Sequence, residues 1–285
     1  MNSPITYFGG KSRLSKKFIE FIPKHKTFVE VFGGSGSFLF TKKPSEIEVY
    51  NDIDKRLYVF FKVIKDPIKF SLFEKLASLT PYSREEYFYN ISFEGASDLD
   101  IAYNFWILSR QSFSGKIDKS WSYSVSTGHR IAENVSRYIN SILRFPSIHN
   151  RLKNVIIENE DFRKLIPKYD AEDTFFYLDP PYLHETRRSG WYKYEMGDKD
   201  HKDLLELIPT LKGKVMISGY HNSFYDKYLH NWKRIDFKTV CTATGGVRRS
   251  KLTGAGILKL KQQRVESIWL NYNIPSTIIN LEKGI

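Results

Sequence analysis

The sequence predicts an α/β fold in which a domain of alternating strands and helices is interrupted by a long helical insertion. Three observations carry that expectation. A strand-like run over 27–32 passes through the turn Gly33-Gly34-Ser35-Gly36 into a helix start. From residue 55 to about 145 the pattern becomes helical and aromatic, with no second strand-glycine-helix unit. Apolar runs of strand length then return at 174–178, 214–220 and 266–272.

In chain order, Tyr7-Phe8-Gly9-Gly10-Lys11 closes a short extended segment with a glycine pair that lets the backbone approach a ligand, and Lys11 adds a positive charge there. Ser12 is placed to cap a helix reaching about Ile22, with Leu14, Phe18, Ile19 and Ile22 on one face. After the strand over 27–32, the glycine turn can present backbone amides to a ligand at a helix start. Its glycines, at 33, 34 and 36, lack the dinucleotide-binding spacing. A strand over 46–50 ends in Asn51-Asp52-Ile53-Asp54, an acidic stretch about 20 positions beyond the turn, where a carboxylate can accept from ribose hydroxyls. Asp52 is the first choice for that role and Asp54 the second. Each element has a plain turn reading by itself; together they describe a site for an adenosine-bearing ligand.

Within the insertion, helices are expected near 66–78, 83–90, 98–110 and 130–144. Between the last two lies a polar loop studded with aromatic and basic residues, including Arg110, Ser112, Lys116, Trp121 and Arg130. Such a loop can offer hydrogen bonds and planar side chains to bases. The sheet resumes over 155–162, where Asp161-Phe162 can receive an adenine ring, the carboxylate accepting its amino group and the phenyl ring packing flat. The strand at 174–178 runs into Asp179-Pro180-Pro181-Tyr182. Two prolines fix φ and remove two donors, leaving the Asp179 carboxylate and the Pro180 carbonyl as stiffly held acceptors beside the Tyr182 ring. That corner suits holding a planar heterocycle by its amino group. Further on, Arg187 and Arg188 sit in a polar stretch able to close over a cleft or touch phosphates. A helix over 199–212 and a strand over 214–220 precede a glycine-rich basic loop with Arg248 and Arg249, which fits backbone contacts.

Composition narrows the class. Lys and Arg number 44 against 32 Asp and Glu, a net charge of +12, and 15% of residues are aromatic. A polyanion that stacks, namely nucleic acid, is the expected partner. A mean hydropathy of −0.42 with 41% hydrophobic residues argues for a folded domain. With Cys241 as the one cysteine, neither a disulfide nor a cysteine-built zinc site can form within the chain. No run of eighteen apolar residues occurs, so a soluble, cytoplasmic protein is expected.

The ordered set Tyr7-Phe8-Gly9-Gly10-Lys11, Val29-Glu30-Val31-Phe32-Gly33-Gly34-Ser35-Gly36-Ser37-Phe38, Asn51-Asp52-Ile53-Asp54, Asp161-Phe162 and Asp179-Pro180-Pro181-Tyr182 resembles the DNA adenine methylases of the D12 type. The resemblance extends over nearly the whole chain. It implies a Rossmann-like methyltransferase sheet that binds S-adenosylmethionine, formed by residues 1–55 and 146–285, with 56–145 as a helical target-recognition domain. Implied cofactor contacts are Tyr7, Lys11, Phe32, Gly33, Gly34, Ser35, Gly36, Asp52, Asp161, Phe162 and Asp179; Tyr7 stands where close relatives often carry tryptophan. Asp179, Pro180 and Tyr182 would perform direct transfer to the amino group of a flipped adenine, with no metal. Double-stranded DNA is the implied partner of a monomer or weak dimer, with a cognate restriction endonuclease left open. Two other readings also stay open: a methyltransferase for RNA or for the cytosine amino group, and an inactive DNA-binding relative.

Overall fold

The computed structural model describes residues 1–7, 12–93, 95–115, 117, 120–128, 130–183, 194–240 and 263–274. The chain begins with a short helix, α1 (Ser12–Phe18), continued by a 3-10 turn to Phe21. It stops there because Pro23 pushes Ile22 out of the helical region, to φ −62° and ψ 122°. Then come β1 (Thr27–Glu30), α2 (Ser37–Thr41), β2 (Ile47–Asn51) and α3 (Lys55–Lys65), the last capped by the Asp54 carboxylate. The insertion continues with α4 (Pro67–Leu79), α5 (Arg84–Ser92) and α6 (Asp98–Gln111). A two-residue hairpin follows, β3 (Thr127–Gly128) against β4 (Ile131–Ala132), then α7 (Glu133–Ile142) and α8 (Phe145–Leu152).

After the insertion the sheet resumes with β5 (Val155–Glu158), α9 (Phe162–Lys168) and β6 (Thr174–Leu178). It continues through α10 (Asp198–Leu207), β7 (Lys214–Tyr220), α11 (Ser223–Tyr228), β8 (Lys233–Val240) and β9 (Gln263–Leu270). The seven strands lie in the order β5-β2-β1-β6-β7-β9-β8. All pairs from β5 to β7 are parallel, and β9 runs antiparallel to both β7 and β8. The α/β class and its mostly parallel sheet therefore agree with the sequence reading.

Strand alternation sorts the core into two layers. Phe28, Phe175, Tyr177 and Met216 face a layer shared with Phe60, Phe73, Trp106 and Phe145 of the insertion helices. Val29, Val31, Phe176, Leu178 and Ile217 face the other layer, with Leu165 of α9 and Leu204 and Leu205 of α10.

The differences from the sequence reading lie in elements whose pattern is weak. The strand expected over 155–162 ends at Glu158, and Asp161 caps α9, a seven-residue helix carrying Pro167 that no long apolar period announces. Edge strand β8 alternates polar and apolar residues and gives no compact apolar run. The final strand ends at Leu270, and the helix expected from 130 is divided into a hairpin and α7.

One buried ion cluster fastens two helices to the sheet on the side of the first core layer. Lys42 and Arg151 both bond the Glu48 carboxylate, joining the end of α2, strand β2 and α8, with the Lys42 and Glu48 side chains each 2% exposed. Burial would raise the Glu48 carboxyl, but the Arg151 and Lys42 bonds outweigh it and hold it below its ordinary value. Glu48→Ala leaves a cation buried without its partner and is expected to cost about 3–5 kcal/mol, read from the denaturation midpoint at constant m-value.

Candidate active site

The site forms where the strand order reverses. Strands β1 and β6 are neighbours in the middle of the sheet, with Glu30 paired to Tyr177, but the chain leaves them toward opposite sides. A crevice opens beyond their C-terminal ends, as expected of such a switch point. Its cavity measures about 250 Å³ and is lined by Tyr7, Glu30, the 31–35 segment, Asn51, Asp52, Asp54, Asp161, Phe162, Tyr177, Asp179 and Pro181, among others.

The glycine turn forms the first wall. Gly34 and Gly36 have φ of +49° and +66°, values that glycine adopts without Cβ strain. Gly33 is required for another reason: a Cβ there would lie 2.2 Å from the Tyr50 ring, whose hydroxyl donates to the Gly34 carbonyl at 2.6 Å. The Gly34 amide donates to Asp52 Oδ2 at 2.7 Å, and the Asp54 amide donates to Oδ1 at 2.8 Å. Asp52 is thereby locked to the turn. Asp54 caps α3, binds Arg56 Nη2 at 2.8 Å and accepts from the Tyr7 hydroxyl at 3.4 Å. The Asn51 side chain donates to the Val31 carbonyl at 2.8 Å and accepts from the Glu160 amide at 2.9 Å, fastening the ends of three strands.

The opposite wall carries Phe162 and Asp161. Phe32 and Phe162 meet at a ring distance of 5.8 Å, and the Arg163 guanidinium lies 4.4 Å from the Phe162 centroid. Arg163 also binds Asp161, Asp200 and Asp203, which holds the start of α9 against α10. Asp161 caps α9 by accepting from the Arg163 amide at 2.8 Å.

The floor is made by Glu30, Tyr177 and Asp179. Tyr177 stacks on Phe38 at 3.9 Å, and the Ser218 hydroxyl of β7 donates to Asp179 Oδ1 at 3.2 Å. Pro181 lines the cavity, whereas Gly36, Pro180 and Tyr182 are not part of its lining. Tyr182 donates its hydroxyl to Glu266 and meets the Tyr220 ring edge-on at 4.5 Å.

Sequence reasoning missed Glu30, Tyr177, Ser218 and Glu266. Glu30 could have been found, since a carboxylate within Phe28-Val29-Glu30-Val31-Phe32 is a charge in a buried strand. It is 2% exposed and accepts from the Leu39 amide at 3.1 Å. Burial pushes its carboxyl up to about 8, against the Leu39 and Phe38 amides that favour the ionised form, and the Asp179 charge adds to the rise. Burial likewise raises Asp52 to about 6, with the Asp54 and Gly34 amides opposing it.

Away from the crevice, Trp121 is half-buried, donates to Gln111 Oε1 at 3.3 Å and lies parallel to Tyr123, with the Arg84 guanidinium 4.8 Å from its centroid. Arg130 is exposed at the turn of the β3–β4 hairpin, with φ +69°. Arg110 turns toward the protein, its Nη1 donating to Thr6 Oγ1 at 2.8 Å and its Nη2 to the Arg137 carbonyl at 2.7 Å. Burial and the nearby Arg144 and Arg137 charges lower its guanidinium to about 10. Ser112 is buried and donates to the Tyr87 hydroxyl at 3.2 Å. Lys11, Lys116, Arg187, Arg188, Arg248 and Arg249 lie outside the described residues. Among the described residues no helix is long and apolar enough to cross a membrane, and no cluster of His, Cys, Asp or Glu has the geometry of a metal site.

The family model for D12 class N6 adenine-specific DNA methyltransferases matches residues 7–242. The type II methyltransferase M.MjaIII of Methanocaldococcus jannaschii is 25% identical over 281 aligned positions, spanning 86% of this chain and 94% of that protein. A putative methyltransferase of Haemophilus influenzae is 26% identical over 82% of this chain and 83% of its own length. The modification methylase LlaI of Lactococcus lactis subsp. lactis is 24% identical over 65% of this chain, which corresponds to 30% of that larger protein.

The Glu30 carboxyl yields a pH signature. In the unfolded chain it loses its proton near 4.5 and in the folded protein near 8, so between these values the folded state holds a proton that the unfolded state has released. Its contribution to stability therefore falls as pH rises through that window. Glu30→Gln removes this term. The melting temperature of the variant relative to the parent is expected to climb from about pH 4.5 to 8 and then level off; a pH-independent difference would show that Glu30 does not titrate there.

Proposed function

Because this chain belongs to the D12 class of N6 adenine-specific DNA methyltransferases, we propose that it takes its methyl group from S-adenosylmethionine and delivers it to the amino nitrogen of an adenine turned out of duplex DNA. One observation carries the reading: Asp179 and Pro181 of the rigid corner open into the same cavity as the glycine turn and Asp52.

The residues present fit such a donor. Among the described residues, seven carboxyl groups besides the proton-holding Glu30 line the cavity (Asp52, Asp54, Glu160, Asp161, Asp179, Glu195 and Asp200) against the single cation Arg163. On a chain of net charge +12, this concentration of acid suits a ligand that is itself cationic. The aromatic rings of Tyr7, Phe32 and Phe162 in the lining suit its purine. Asp52 would accept from the ribose hydroxyls, the Gly33-Gly34-Ser35 backbone would approach the amino-acid portion, and Asp161 would accept from the purine amino group. Lys11 is proposed with them by motif position. When bound, S-adenosylmethionine supplies a methyl group activated by an adjacent sulfonium.

The protein's part is positioning and electrostatics. The amino nitrogen of adenine is a weak nucleophile because its lone pair is delocalised into the ring. The Asp179 carboxylate, steadied by Ser218, and the Pro180 carbonyl would accept its two hydrogens and favour a pyramidal nitrogen with its lone pair directed at the methyl carbon. As the new carbon–nitrogen bond formed, the carbon–sulfur bond of the donor would break and leave a neutral thioether, positive charge would develop on that nitrogen beside Asp179, and one of its protons would then pass to solvent. Tyr182 would pack against the extruded base. Residues 56–145 are proposed as the DNA-reading part, with Arg130 on the exposed hairpin and Trp121 on the adjacent loop facing the duplex.

Tritiated methyl transfer to adenine-containing duplexes, followed by nucleoside analysis, tests the reading; label in cytosine, or none, would overturn it. Asp179→Ala is expected to reduce transfer by at least about 10³-fold with DNA binding retained. Tyr182→Ala is expected to weaken base capture. With 2-aminopurine at a methylated position mapped in DNA from expressing cells, its emission rise on mixing should shrink; an unchanged rise would remove Tyr182 from that role.

A further inference from the structure

We infer that Glu266, on the antiparallel strand β9 and beyond the stretch matched by the family model, is a positioning residue for methyl transfer because its carboxylate holds the hydroxyl of Tyr182. The inference rests on the proposed role of the Tyr182 ring against the target base.

Two prolines stiffen the chain that leads into Tyr182, whose side chain keeps two torsions. Tyr182 is half-buried next to Pro181 of the crevice lining. Contacts from neighbouring strands limit the freedom of its ring. Tyr220, the last residue of β7, meets the ring edge-on at 4.5 Å with an interplanar angle of 66°. Glu266, paired with Tyr220 across the β7–β9 ladder, accepts the phenolic hydrogen. The ring is thus held at its root by the prolines, at its edge by Tyr220 and at its tip by Glu266.

The setting of Glu266 argues that the contact is more than incidental. It is 3% exposed on a strand whose next buried residues are Ser267, Ile268, Trp269 and Leu270. Burying a carboxylate there opposes folding, and an apolar side chain would be tolerated more easily. What the carboxylate provides is a charge-assisted acceptor at a fixed distance from the catalytic corner, which is stronger and more directional than a neutral one. Strand β9 is itself pinned between β7 and β8 through its register with Met216–Tyr220 on one side and Lys233–Val240 on the other. The acceptor therefore moves little when the crevice fills. Ser218, two residues before Tyr220 on β7, steadies Asp179 in the same way.

The experiment uses the full chain, unmethylated plasmid DNA and tritiated S-adenosylmethionine, with single-turnover rates at saturating donor and DNA, donor affinity by calorimetry, and the 2-aminopurine duplex as a report on base capture. Glu266→Leu and Tyr182→Phe should each slow transfer about tenfold and reduce the emission rise, with donor affinity unchanged. The double variant should be no slower than the slower single variant to within about twofold, since both remove one bond. Glu266→Gln, whose amide oxygen can still accept, should recover most of what Glu266→Leu loses. A parental rate in either Glu266→Leu or Tyr182→Phe, or multiplication of the two effects in the double variant, overturns the inference. Should Glu266→Leu not fold, Tyr182→Phe and Glu266→Gln decide the matter by the same criteria. If Tyr182→Ala is impaired while Tyr182→Phe and Glu266→Leu are not, the tip contact falls and the role of the ring stands; if Tyr182→Ala transfers at the parental rate, the role of the ring falls first.

Discussion

Parallel pairing between β1 and β6, which sets Glu30 beside Tyr177 and lets the Val31 amide donate to the Tyr177 carbonyl at 3.1 Å, is the constraint from which the site follows. Two strands far apart in the chain end at the same height, so the glycine turn and the Asp179 corner emerge side by side. A register slip of one residue would turn Asp179 and Glu30 toward the opposite layers of the core. The Asn51 side chain adds the ends of β2 and β5 to this level, so the walls of the cavity are fixed by strand ends and not by free loops.

Charge is distributed with equal consequence. A chain with a surplus of twelve positive charges gathers seven carboxyl groups besides the proton-holding Glu30 around one cavity and leaves Arg163 as the cation in that lining among the described residues. Burial then raises Glu30 and Asp52 well above ordinary carboxyl values, because the crevice removes the water that would stabilise their ions. Such a distribution would draw a polyanion to the outside and, as proposed, a compact cation to the inside. This separation is consistent with a nucleic-acid methyltransferase that handles a cationic donor and an anionic substrate on one molecule.

The antiparallel end of the sheet does more than finish the fold. Strands β7 and β9 supply Ser218, Tyr220 and Glu266, which meet Asp179 and Tyr182 from the side away from the glycine turn. The 179–182 corner is held from both directions: stiff backbone within, and side chains of a paired strand ladder without. Such support is what keeps reacting groups near a productive geometry.

Much of this was legible before any coordinates. Strand β6 follows from five consecutive apolar or β-branched residues, the stiffness of the next corner from two prolines, and the glycine requirement at 34 and 36 from the turn itself. Spacing singled out the carboxylate beyond the second strand, and the change of pattern after residue 55 announced a run of helices. These are local properties, written in neighbouring residues. What the sequence could not disclose are the partnerships between segments: that Tyr50 fills the space a Cβ at Gly33 would need, that Arg110 turns inward to Thr6, that Ser218 reaches Asp179, and that Glu266 reaches Tyr182. Such contacts depend on strand order and register, which are settled by the packing of the whole chain and leave no mark in any one stretch of it.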